Sequence, residues 1–244
     1  MTNTNTSSDL SENIYETLKK ELLDLTIKPG EELVESQLCS RFGVTRPPVR
    51  TVLKRLSDIG LVQTKPYYGT HATLINLDKV YQIIHMRTVV ETSIIQDFIK
   101  SEPNAFLIEE LEHNIRLQKI LINQKEIDRN KFYELDNELH LTWFEHQHCK
   151  AIWNLIQEQK IEYTRFRMLD YEASMQYEQI LNDHNSLVQK IKSKNSDEIP
   201  KILGQHLTAG LKRMGGKVLR EHSNYFLEPK DTDFWDSYNK MYEI

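Results

Sequence analysis

Residues 43–61 read Gly43-Val44-Thr45-Arg46-Pro47-Pro48-Val49-Arg50-Thr51-Val52-Leu53-Lys54-Arg55-Leu56-Ser57-Asp58-Ile59-Gly60-Leu61. At the 100° step of an α-helix, Val49, Val52, Leu53 and Leu56 fall in one apolar stripe, while Arg46, Arg50 and Lys54 rise in a row beside it. Thr45 stands where an N-cap belongs, and Arg46, Pro47 and Pro48 fill the first turn, where proline is tolerated. Gly60 ends the pattern. Such a helix can pack on one side and meet phosphates and base edges on the other, which makes it a candidate DNA recognition helix. Its prolines remove the two N–H groups that an N-cap hydroxyl normally bonds, so Thr45 is predicted to be free to reach a phosphate.

Charge supports this placement locally and not globally. The chain of 244 residues has a formal net charge of -5. Between positions 41 and 65, however, Arg41, Arg46, Arg50, Lys54, Arg55 and Lys65 face a single acid, Asp58. The positive potential is concentrated at the helix.

Working outward, Ile14, Leu18, Leu22 and Leu25 recur at helical spacing and Lys28-Pro29-Gly30 breaks the run, predicting a first helix over about residues 10–25. A short second helix is expected over residues 35–42, with Leu38, Cys39 and Phe42 inward and Gly43 turning the chain. After Gly60, residues 61–64 and 70–75 read as strands joined by Lys65-Pro66-Tyr67-Tyr68-Gly69, a two-stranded wing. Lys65 and Tyr68 are placed to touch the phosphate backbone, and Gly69 to allow close approach of the main chain. The expected DNA-binding set is therefore Thr45, Arg46, Arg50, Lys54, Lys65, Tyr68 and Gly69.

From Leu77 onward strand signals vanish. Breaks near residues 101–104, 128–130, 149, 173 and 195–200 predict six helices in an antiparallel bundle. Asp136 and His140 lie one turn apart on one face, and His184 and His206 come from later helices. Three imidazoles and a carboxylate suit a borderline divalent ion, zinc or nickel, with positions left for a ligand. Nine histidines also offer many accidental sets, so spacing leaves the site open. Arg87, Arg165 and Arg167 are candidates to hold an anionic effector, with intrahelical salt bridges as the alternative. His146-x-His148-Cys149 is read as a helix end, not a second metal site.

The expected organisation is a disordered tail over residues 1–8, a winged helix-turn-helix over 9–76, an all-helical domain over 77–220, and an aromatic, acidic extension over 221–244. In that extension Phe234, Trp235, Tyr238, Met241 and Tyr242 repeat at helical spacing, predicting that it docks on the effector domain of its own chain or its partner's. Cys39 and Cys149 have neither disulfide-framework nor Cys-x-x-Cys spacing, which fits a reducing cytosol. Without an export signal or an apolar run of about 20 residues, a cytoplasmic, soluble protein is expected.

Lys28-Pro29-Gly30, Glu35-Ser36-Gln37-Leu38, Gly43-Val44-Thr45-Arg46-Pro47-Pro48-Val49-Arg50, Leu53, Leu56, Gly60-Leu61-Val62 and Gly69-Thr70 together closely resemble the winged-helix domain of GntR-family transcription regulators. The resemblance makes Arg46 and Arg50 principal DNA contacts and Gly69 the wing tip. The chain departs from the family at Val34, which cannot cap the second helix, and at Ser36, where some relatives carry an arginine that contacts DNA. Arg87-x-x-x-Glu91, Asp136-x-x-x-His140, His184 and His206 resemble the FadR-type effector domain called FCD over about residues 78–216. In metal-binding members the matching Asp and three His hold the ion. The resemblance implies a ligand-responsive regulator, expected to be a repressor, that binds a pseudo-palindromic operator as a homodimer and senses a small carboxylate near its metal. A metal-dependent hydrolase carrying a DNA-binding domain is the alternative, disfavoured because no extra carboxylate is placed as a general base.

Overall fold

The computed structural model describes residues 7–214 and 221–227, mostly helical, in two compact units. The first takes in the described chain up to Asn76 and also His222 to Leu227. Its elements are α1 (Ser7–Leu23), α2 (Glu35–Phe42), α3 (Arg46–Asp58), β1 (Val62–Lys65) and β2 (Gly69–Ala72). The apolar stripe of α3 faces inward as its periodicity requires. Val49, Val52, Leu53 and Leu56 are buried with Ile14, Leu18 and Leu22 of α1 in one small core.

Two cations brace this core from outside. Arg55 donates through Nη1 and Nη2 to the Glu12 carboxylate at 2.8 and 3.1 Å, and its guanidinium lies 3.7 Å from the ring centre of Tyr15. Arg41 closes the same kind of fork on Glu21. Between α2 and α3 the chain turns at Gly43, whose φ of 64° suits a residue without a side chain. Leu38 is buried on α2, while Cys39 and Phe42 are only half-buried.

The wing pairs Val62 with Ala72 through Lys65 with Gly69 in antiparallel register. Its other edge is covered in a way the sequence did not suggest. Leu33 N donates to Thr70 O at 2.8 Å and Ala72 N to Glu31 O at 2.8 Å, so the segment after Pro29 runs along β2 instead of merely ending a helix. Ile75 is covered likewise: its N–H donates to Tyr225 O at 2.8 Å, and its carbonyl accepts from Leu227 N at 3.0 Å. Residues 222–227 thus join the winged unit, which for these residues corrects the expectation that the extension docks on the effector domain of its own chain or its partner's. The main-chain N–H and C=O of Ile75 find their partners in this pairing. Phe234, Trp235, Tyr238, Met241 and Tyr242, like the tail's first six residues, lie outside the described residues.

The second unit contains α4 (Leu77–Lys100), α5 (Ala105–Ile122), α6 (Arg129–His146), α7 (Lys150–Gln159), α8 (Ile161–Ser174), α9 (Tyr177–Lys192) and α10 (Ile199–Arg213). Five of the breaks fall where the sequence places them, two of them with side-chain caps. Asn104 accepts from Phe106 N and Leu107 N at 3.0 and 3.1 Å, and Asp128 accepts from Lys131 N at 3.0 Å. The sixth break, at Lys160, makes seven described helices where six were expected. It contains no Gly or Pro. A tertiary interaction marks it instead: Lys160 Nζ donates to Asn137 Oδ1 at 2.6 Å and lies over the rings of Tyr133 and Trp153. Among the described residues, no helix is long and apolar enough to cross a membrane.

Leu56 is fully buried between α3 and α1. Alanine keeps helix propensity, so Leu56→Ala isolates the packing loss and is expected to cost about 2–5 kcal/mol. Urea titration followed by circular dichroism checks this; a loss below about 1 kcal/mol would show that the stripe is not the core of the unit.

Candidate metal centre and DNA-reading face

Asp136 and His140 project from consecutive turns of α6 and meet His184 of α9 and His206 of α10. All four are buried, and one donor atom from each lies within 4.8 Å of the others. Their orientation is imposed from behind. His140 Nδ1 lies 2.5 Å from Glu91 Oε2, His184 Nδ1 2.8 Å from Gln118 Oε1, and His206 Nδ1 3.5 Å from Asp183 Oδ2. Gln118 is itself fixed, its amide donating to Asn114 Oδ1 at 2.7 Å, while Asn114 donates to Leu135 O at 3.0 Å. The acceptors at Nδ1 of His140 and His184 favour the tautomer protonated there, and the Asp183 carboxylate, close to His206 Nδ1 without a hydrogen bond, favours the same tautomer by its charge, which turns the Nε2 lone pairs toward a common centre.

That centre fits a divalent ion. His140 Nε2 and His206 Nε2 stand 3.3 Å apart, two acceptors facing each other with no proton to share in this tautomer. Two ligands each about 2.05 Å from one ion subtend about this separation at a tetrahedral angle. His184 Nε2 is 3.3 Å from Asp136 Oδ1 but makes no hydrogen bond, so a buried ring nitrogen is left for another partner. Burial lowers the proton affinity of His184, and that of His206 to a pKa of about 3, keeping both imidazoles neutral as ligation requires. Burial alone would raise Asp136, but its contact with His184 and the charge of Arg167 hold it well below the usual carboxylate range.

Cations surround the cluster. Arg87 on α4 donates through Nε to Glu91 Oε1 at 2.5 Å, with its guanidinium over the ring of Tyr163. Burial penalises Glu91, yet Arg87 and His140 hold its pKa at about 2. Arg167 on α8 reaches Tyr171 Oη at 2.8 Å and Asp136 Oδ1 at 3.4 Å. Arg165, two residues earlier and hence about 200° around the helix, lies 3.6 Å from Glu162 on its own helix. The structure brings Arg87 and Arg167 to the cluster and turns Arg165 elsewhere. Lys160 was not anticipated; burial, then the nearby charge of Arg87, lowers its pKa to about 7. Gln118, Asn114 and Asp183 were also missed. Only Asp183 had a cue, its adjacency to His184, and it serves the histidine of another helix.

On the winged unit, Thr45 is exposed at the N-cap and its side chain makes no cap bond, as the two prolines require. Arg46 is exposed and forms no ion pair among the described residues. Arg50 is bonded to Glu35 through Nε, and Lys54 Nζ lies 3.6 Å from Asp58. In the wing, Lys65 is exposed, Tyr68 stacks on His71 at 4.4 Å, and Tyr67 is the more exposed tyrosine, at a φ of 63°. Gly69 answers first to its own chain: its φ is 95°, and a Cβ there would lie 2.9 Å from Glu32 Oε1. His146 ends α6 near Glu110, and His148 takes a φ of 56°, so that run does end a helix.

Residues 10–71 match the family model described as "Bacterial regulatory proteins, gntR family", and residues 82–209 match the FCD domain. The HTH-type transcriptional repressor RspR of Escherichia coli K12 is 25% identical over 229 residues, covering 93% of this chain and 98% of that protein. The gluconate operon transcriptional repressor of Bacillus licheniformis is 25% identical over 195 residues, 78% of each. Among solved structures, E. coli McbR/YncC superposes with a TM-score of 0.66 at 15% identity, covering 88% of this chain and 98% of that one. A putative GntR regulator from Rhodococcus sp. RHA1 gives 0.67 at 17%, covering 84% and 98%. These structures share the fold.

The burial of His206 predicts a pH dependence for the metal-free protein. Its pKa is about 3 when folded, against about 6.5 unfolded, so between these values the unfolded state binds the proton first. The stability associated with neutral His206 is complete above about pH 6.5 and is lost as pH falls toward 3. With chelator present, the melting temperature is expected to drop between about pH 6.5 and 4, and to drop less in His206→Gln. Equal slopes in the two proteins would contradict this.

Proposed function

Because the chain belongs to the gntR family of bacterial regulatory proteins, with an FCD domain behind its winged helix, we propose that it is a metabolite-controlled repressor whose sensor is centred on a divalent metal. It is a DNA-binding transcription regulator, not an enzyme. Repression is supported by the names of relatives such as RspR and the gluconate operon repressor. In this reading a cytoplasmic homodimer presents one winged helix to each half of a pseudo-palindromic operator, with Arg46 and Arg50 reading bases. Thr45, Lys54, Lys65 and Tyr68 serve the backbone, whose contacts give affinity and salt dependence.

The convergence of Asp136, His140, His184 and His206 carries the sensing half. Zinc or nickel held there would supply a Lewis-acidic centre for an oxygen ligand. Arg87 and Arg167, both buried at the cluster, would hold a small carboxylate by charge-assisted hydrogen bonds. Their present partners, Glu91 and Asp136, keep these cations paired before the effector arrives. Arg165 is the weakest of the three candidates, since it lies about 200° around α8 from Arg167, beside Glu162 of its own helix. The effector acts by binding one arrangement of the two units better than another, because equal affinity for both would shift nothing. The linker near residues 74–79 carries the change.

A thermal-shift screen of small carboxylic acids on the full chain, with zinc or nickel and then with chelator, tests this reading. An acid at about 100 times its Kd should add roughly 5–10 °C to the melting temperature, and both chelator and His184→Ala should abolish that shift. A shift that survives both treatments would overturn the metal-centred sensor.

A further inference from the structure

The three arginines of the winged unit that have acidic partners use them in two ways. Arg41 and Arg55 spend both Nη groups on Glu21 and Glu12, so the open end of each fork is closed by a carboxylate. Arg50 is held from the side: its Nε donates to both oxygens of Glu35, at 3.1 and 3.0 Å. Its Nη1 and Nη2 make no hydrogen bond among the described residues, and 63% of its side chain is exposed. Glu35 is the first residue of α2 and Arg50 lies in the second turn of α3, so the contact spans the turn between the two helices.

We propose that Glu35 is a positioning residue for base reading, fixing the plane of the Arg50 guanidinium so that its Nη1 and Nη2 edge is presented to O6 and N7 of a guanine in the operator. With Nε occupied, that edge is the remaining pair of donors, and its spacing matches the two guanine acceptors. Holding the side chain beforehand removes part of the ordering cost of the contact. The arrangement also has a drawback that points to its purpose. A carboxylate beside the recognition row is repelled by phosphates and lowers affinity for any duplex, which a residue serving affinity alone would not do. Glu35 therefore trades general affinity for discrimination. The inference rests on the DNA-binding function and is independent of the metal-centred sensor.

The test is binding-site selection from randomised duplexes by the full-length wild type, Glu35→Ala and Glu35→Gln, with each variant's melting temperature confirming a folded winged unit. Titration of a non-specific duplex accompanies it. In Glu35→Ala the guanine preference at one position of each half-site should fall about tenfold while the other positions keep theirs. Affinity for the non-specific duplex should rise about two- to threefold at low salt. Glu35→Gln, which retains one acceptor for Nε, should lose less of the preference. In an Arg50→Ala background, Glu35→Ala should change that position no further. An unchanged guanine preference would overturn the proposal, as would an equal loss at every position or a Glu35→Ala effect that persists without Arg50. A rise in operator affinity equal to the non-specific rise would instead make Glu35 a competitor for Arg50.

Discussion

Glu91 is a carboxylate with no access to water, and the interior of the helical unit is arranged around satisfying it. Arg87 one turn earlier bonds one oxygen and His140 from α6 the other. Removing one partner of such a buried set leaves an uncompensated charge and costs about 3–5 kcal/mol, so the helices carrying them are bound to one register. That register sets the direction of His140. Once its Nδ1 is engaged, its Nε2 can point only inward, toward His206, His184 and Asp136. Gln118 repeats the same logic for His184, while the Asp183 carboxylate stands near His206 Nδ1 at 3.5 Å without a hydrogen bond. A ligand cluster in this fold is thus a consequence of what stands behind the ligands as much as of the ligands themselves.

The winged unit distributes its charges by a comparable division of labour. Six basic residues crowd positions 41–65. Acids from outside that window, Glu12, Glu21 and Glu35, engage three of them. Arg55 and Arg41 hold helices together, Arg50 is aimed, and Arg46 and Lys65 remain exposed. The net potential offered to DNA is therefore smaller and more local than a count over the window suggests. In the proposed reading, affinity for phosphate falls mainly to the N-terminal end of α3 and to the wing, with Thr45 exposed where Pro47 and Pro48 leave the helix start without two of its usual N–H donors.

Much of this was legible in the sequence wherever a pattern had one dominant cause. The apolar stripe Val49, Val52, Leu53, Leu56 could be satisfied only by an inward face, and the interruptions of helical periodicity near residues 101–104 and 128–130 marked helix boundaries, which Asn104 and Asp128 then cap in the structure. Asp136 and His140 were legible by helical spacing, whereas His184 and His206 needed a family resemblance, because nothing in one dimension says which faces of α9 and α10 turn toward α6. What escaped were features decided by tertiary contacts. The break at Lys160 follows a lysine drawn to Asn137 and two rings, not a helix breaker. The runs at residues 31–33 and 225–227 pair because an exposed strand edge and Ile75 have open main-chain groups. Gln118 carries no motif. Gly69, read as room for DNA, is first required by its positive φ and by the Glu32 carboxylate beside it.

Asp136, His140, His184 and His206 are proposed to form one metal site in the regulator's helical unit. Elemental analysis of the full-length protein after equilibrium dialysis against zinc addresses it most directly. About one ion per chain is predicted for the wild type, and a fall to background for the His140→Ala, His206→Ala double variant. Background metal in the wild type, or a content that the double variant leaves unchanged, would contradict the account.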